Sequence, residues 1–66
     1  MKDWQEIRTA SYVARFGTVS EAAKELGVHR ATVVRHIDTL ETRLGEKIFR
    51  RHSSGYSTTE LGAELL

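Results

Sequence analysis

Cysteine and proline are both absent from the 66 residues. Without cysteine there are no disulfide staples, no thiolate metal ligands and no cysteine nucleophile. Without proline, five glycines alone punctuate the chain: Gly17, Gly27, Gly45, Gly55 and Gly62. Aromatic residues are few, at 8%. Excess charge is scarce too. Ten Lys and Arg against nine Asp and Glu leave a net charge of +1, which by itself announces no polyanionic partner. No apolar run approaches the roughly 18 residues that a membrane span needs. Behind its one basic residue, Met1-Lys2-Asp3-Trp4 has no apolar stretch, so no signal peptide is expected. A chain of this length holds one small domain, not a two-domain enzyme with a cleft between its halves.

What is present is well patterned. Hydrophobic residues make up 39% of the chain, which with the glycines is close to the composition of folding sequences. The small positive excess is concentrated. Positions 29–52 carry Arg30, Arg35, Arg43, Lys47, Arg50 and Arg51 against Asp38, Glu41 and Glu46, with His29, His36 and His52 besides. Positions 1–28 balance, and positions 53–66 are acidic through Glu60 and Glu64.

Helical spacing dominates. Trp4, Ile7, Ala10, Val13 and Ala14 recur at steps of three and four, predicting a helix from about Asp3 to Phe16, closed by Gly17. Tyr12 and Phe16 form an i, i+4 pair beside that stripe. Thr18-Val19-Ser20-Glu21 is a capping box that opens a second, short helix. Its inward face is Ala22, Ala23 and Leu26, and Gly27 stops it. After Val28-His29, a third helix is predicted from about Arg30 to Leu44, buried along Val33, Ile37, Leu40 and Leu44. From Lys47 to Thr58 the period changes. Ile48, Phe49 and Tyr56 flank His52-Ser53-Ser54-Gly55, predicting a hairpin with a four-residue loop. Thr59 is the N-cap candidate of a fourth helix that begins Leu61, Leu65, Leu66. That stripe ends in mid-pattern, so the helix is expected to continue or to pack on a partner.

Two helices, a short turn containing Gly27, a longer helix with exposed cations, and a basic hairpin make the layout of a winged helix-turn-helix. The fold class expected is mainly α, with a three-helix core, a small two-stranded wing and the start of a C-terminal linker helix. Positions 1–58 form the domain, with the helix-turn-helix at about 18–44 and the wing at about 47–58. Positions 59–66 start the linker. The major groove of duplex DNA, about 12 Å wide, admits a helix whose other face is committed to the core.

Residues 18–66 resemble the N-terminal domain of LysR-type bacterial transcriptional regulators. The resemblance is carried by Gly17-Thr18-Val19-Ser20-x-Ala22-Ala23-x-x-Leu26-x-Val28. It continues through Arg35-x-Ile37-x-x-Leu40-Glu41-x-x-Leu44-Gly45-x-x-Ile48-Phe49-x-Arg51, then Thr59-x-x-Gly62-x-x-Leu65-Leu66, in one register without a gap. It implies a bacterial cytoplasmic regulator, at the nucleoid when bound, whose partner is a double-stranded DNA operator. It also implies a homodimer or tetramer formed through the fourth helix, and a small-molecule effector bound by a C-terminal region outside this chain. The chain departs from the family's usual residues at His29 and Arg30, where small polar side chains are common, and at Val34, where Ser or Thr is common. No operator sequence is therefore carried over.

The candidate DNA contacts are Thr18, Ser20, His29, Arg30, Thr32, Arg35, His36, Arg50, Arg51, Ser53 and Ser54. Arg30, Thr32 and Arg35 are expected to project together from the third helix, Arg30 and Thr32 as base-edge contacts and Arg35 as a phosphate or base contact. Thr18 and Ser20 place backbone amides at a helix N-terminus, which suits phosphate. Arg51 is preferred over Arg50, because neighbouring strand residues face opposite sides, and the two serines form the wing turn. If about four cations meet phosphates, log affinity falls against log salt with a slope near −3.6. Trp4, Tyr12, Leu61, Leu65 and Leu66 are core or dimer-seam candidates.

No cofactor or metal is expected. The three histidines lack the spacing of a helical zinc pair, and no phosphate loop or nucleophile elbow occurs, so the chain does not read as an enzyme. The near-neutral charge keeps one alternative open, a winged helix that binds protein and never touches DNA. A winged-helix regulator of another family is a second.

Overall fold

The computed structural model describes residues 4–66, so the expected start of the first helix at Asp3 lies outside the described residues. The elements are α1 (Trp4–Phe16), α2 (Val19–Leu26), α3 (Arg30–Leu44), β1 (Phe49–His52), β2 (Gly55–Thr58) and α4 (Glu60–Leu65).

Caps set the helix ends. Thr18 has extended backbone angles, and its hydroxyl accepts the Glu21 N–H at 3.2 Å, so the hydroxyl half of the box fixes the start of α2. Gly27 ends α2 in the left-handed region, at φ 70° and ψ 33°, and the Val28 N–H then reaches back to the Ala23 carbonyl at 3.0 Å. A side chain at this φ would be strained, which is why the tight turn into α3 uses glycine.

The core lies where α1, α2 and α3 cross and is closed from one side by the wing. It consists of Ala10, Val13, Ala22, Ala23, Val33, Ile37, Leu40, Ile48 and Phe49. The small Ala22 and Ala23 let α2 sit close to its neighbours. Ile7, Tyr12, Val19, Leu26, Tyr56, Leu61 and Leu66 pack around the edge. Three expected core positions are not in it. Trp4 and Ala14 of the first helix are exposed. Leu44 is 41% exposed, and Glu41, at 5%, turns inward at that end of α3 instead. The reason is local: the start of β1 presents two backbone N–H groups there, and a carboxylate satisfies them where a leucine would not.

The hairpin is tighter than expected. Phe49 pairs with Thr58, Arg50 with Ser57, Arg51 with Tyr56 and His52 with Gly55, leaving only Ser53-Ser54 as the turn. Gly55 has φ 147° and lies against α1's end. A Cβ there would overlap the Gly17 carbonyl oxygen, the same oxygen that accepts the Tyr56 N–H at 2.7 Å. The wing is thus hydrogen-bonded to the turn between α1 and α2. At the other end, Thr59 caps α4 by accepting the Gly62 N–H at 3.1 Å, while its hydroxyl donates to the Lys47 carbonyl at 2.9 Å.

Candidate nucleic-acid interface

Helix geometry decides which α3 side chains face outward. At about 100° per residue, the direction opposite Val33, Ile37 and Leu40 is occupied by Ala31, Arg35, Asp38 and Thr42, with Val34 and Thr39 at its edges. Burial agrees: the first four are exposed and the last two half-buried. Ala31, Val34, Arg35, Asp38, Thr39, Thr42 and Arg43 line a shallow groove of about 680 Å³ along this face.

A second groove, of about 440 Å³, lies where α2, α3 and the wing meet. Thr18, Val19 and Ser20 contribute from the start of α2, and Arg30 and Val34 from α3. The hairpin adds His52 to Tyr56, including Ser53 and Ser54. Five of the sequence candidates therefore converge here. A helix N-terminus with its unpaired amides, one guanidinium and a turn bearing two hydroxyls together suit an anionic oxygen. His29 is exposed at the N-cap of α3 and makes no side-chain capping bond, so its ring is uncommitted at this edge.

Arg30 and Arg35 therefore serve different grooves rather than projecting as one set, and Thr32 is half-buried on the flank, about 200° around the helix from Arg30.

For three other candidates the structure differs from the sequence reading. His36 is buried, at 8% exposure, and its Nδ1 shares a 2.8 Å hydrogen bond with the Thr9 hydroxyl of α1. It joins α3 to α1 and does not face outward. Arg51 points from β1 to α3: its Nη2 donates to Asp38 Oδ1 at 2.6 Å and lies 3.4 Å from Glu41 Oε1. Its guanidinium also covers the Tyr56 ring, 5.3 Å from the centroid. The Asp38 hydrogen bond raises the Arg51 pKa above its usual value, against the opposing effect of burial. Arg51 shares a strand face with inward Phe49, two residues earlier, which is why it turns toward the body. Arg50 faces the other way, into a groove with Glu46, Lys47, Thr59, Glu60, Leu61 and Glu64. That surface belongs to α4 and carries three carboxylates, so Arg50 is not beside Arg30 or Arg35.

Glu41 organises the junction. Its Oε2 accepts the N–H groups of Ile48 at 2.8 Å and Phe49 at 3.2 Å, while Lys47 Nζ lies 3.6 Å from Oε1. One buried carboxylate thereby fixes the position of β1 on α3. Spacing alone gave no sign of this role, because Glu41 reads as a surface helix residue. Ala31, Val34 and His52 were also missed as groove residues, although angular position on α3 is enough to find the first two.

Among the described residues, no three His, Cys, Asp or Glu side chains group so as to hold a metal ion, and no helix is long and apolar enough to cross a membrane. Of the outer apolar candidates, Trp4 at 64% and Leu65 at 39% stay exposed, whereas Tyr12, Leu61 and Leu66 pack against the core.

This arrangement is shared with known proteins. The chain is 38% identical over 61 residues to the HTH-type transcriptional regulator YusT of Bacillus subtilis, covering 92% of this chain and 21% of that one. It is 38% identical over 60 residues to a carbapenem-hydrolyzing beta-lactamase transcriptional activator of Serratia marcescens, covering 91% and 20%. It thus spans about a fifth of the length of these relatives. Among solved structures, the DNA-binding domain of CbnR in complex with DNA superposes with a TM-score of 0.92 at 29% identity, over 94% of this chain and 71% of that one. The BenM DNA-binding domain on its catB site 1 DNA gives 0.88 at 26% identity, over 92% and 68%. The profile of the bacterial regulatory helix-turn-helix proteins of the lysR family matches residues 4–63, and with that match over nearly all of its length the chain belongs to the LysR family.

Proposed function

We propose that this chain binds duplex DNA sequence-specifically as the DNA-binding domain of a bacterial transcriptional regulator, and that it is a binding module, not a catalyst. The observation that carries the reading is the convergence of the α2 N-terminus, Arg30 and the Ser53-Ser54 turn on one groove beside the open face of α3. In this reading the first turns of α3 enter the major groove, with Ala31, Val34 and Arg35 toward base edges. Thr18, Ser20, His29, Arg30, Ser53 and Ser54 hold the phosphate backbone on either side, and Thr32 lies at the border. The relatives' solved complexes with DNA support it. The full-length protein works as a homodimer or larger assembly on an operator in the cytoplasm. Trp4 and Leu65 offer exposed apolar surface for the dimer seam, and a small-molecule effector binds in a region outside this chain.

Titration of fluorescent duplexes at several salt concentrations tests the reading. With Arg51 engaged by Asp38 and Arg50 turned to the α4 side, Arg30 and Arg35 remain as the arginines of this interface, so the expected slope of log affinity against log salt is no steeper than about −1.8 per domain. Absence of duplex binding at low salt would overturn the proposal and favour a protein partner.

A further inference from the structure

Val34 lines both grooves: it stands on the ridge between the Arg30 side and the Arg35 side of α3. It is half-buried, so its isopropyl group is held by the helix and its neighbours and still reaches the surface. With Ala31 three residues before it, it makes an apolar step in the part of α3 that meets base edges, followed at once by Arg35. Neither side chain can donate or accept a hydrogen bond.

We propose that Val34, with Ala31 beside it, is a specificity-determining residue that selects a thymine through its 5-methyl group. The inference rests on the duplex-DNA reading above. Every major-groove edge offers nitrogen and oxygen donors or acceptors, and thymine adds the one methyl group. A valine pressed against a polar edge strips water from it and gives nothing back, whereas against the thymine methyl it buries apolar surface on both sides. Asp38, the only acid on this outward stripe, is occupied by Arg51, so the apolar step borders a locally neutral pair rather than a free carboxylate.

The test begins with duplexes selected from a random pool by the 66-residue chain. Each thymine of the selected site is then replaced in turn by deoxyuridine, which removes the methyl group and nothing else. The wild-type chain is expected to lose about fourfold in affinity at one thymine per half-site, the value of one buried methyl-sized group. Val34→Ala binds the thymine and deoxyuridine duplexes equally at that position, with helix content by circular dichroism confirming the fold. Val34→Thr, which keeps one methyl, retains part of the difference. The proposal is overturned if no thymine responds, or if the response persists in Val34→Ala. If no duplex is enriched at all, the DNA-binding reading fails and this inference with it.

Discussion

His36 shows what a residue type conceals. A histidine on the basic third helix reads as a DNA contact, yet it lies three residues after Val33, about 60° around the axis, and so falls within the buried arc. There its ring is paired with Thr9 across the α1–α3 interface. His36→Ala leaves the Thr9 hydroxyl without its partner and opens a cavity, so it is expected to cost about 2–3 kcal/mol. Urea unfolding checks the loss, and at temperatures where the variant is folded its duplex preference stays that of the wild type. Arg30, Arg35, Ser53 and Ser54 were legible from charge and turn chemistry. Ala31 and Val34 were not, because a small apolar side chain on the outward arc of a helix carries neither charge nor turn chemistry, and only its angular position places it in the groove.

At the scale of elements, the glycines and apolar stripes were enough to give three helices, a wing and a fourth helix in order. The wing's turn was misjudged by one residue on each side, since a pair such as His52–Gly55 depends on the glycine's φ of 147° and not on local polarity. The wing's attachment was hidden too, because it depends on side chains 10 and 13 residues apart, with Arg51 reaching Glu41 and Asp38. In the proposed DNA-binding reading this latch removes one cation from the set available to DNA and masks one carboxylate on the outward face of α3. Arg51→Ala is therefore expected to weaken binding to selected and scrambled duplexes alike, and Asp38→Asn in that background recovers much of the loss. Because Asp38 is 55% exposed, the stability coupling in a double-mutant cycle is small, about 0.2–1 kcal/mol.

For the whole molecule, stability depends on close backbone approaches that no periodicity reveals. Gly62 is buried in the first turns of α4, and a Cβ there would overlap the carbonyl oxygen of Ile48, which also accepts the Thr59 N–H at 3.0 Å. Gly62→Ala forces α4 away from the start of the wing, at a cost of about 1–3 kcal/mol. In a domain of this size that lowers Tm by about 4–8 °C for each kcal/mol, readable in a thermal melt. The fold as a whole was legible because caps, stripes and turns agree with one another. The contacts between distant backbone segments were not, because they depend on how close the packed elements come.

Nuclear magnetic resonance mapping of the ¹⁵N-labelled chain during titration with its selected duplex tests the central claim most directly. The largest amide shifts should fall at residues 18–20, 29–35 and 52–55, the two grooves that meet at Val34, while residues around Glu60 and Glu64 stay unmoved. Shifts concentrated on α1 or α4, with the start of α3 silent, would contradict the account.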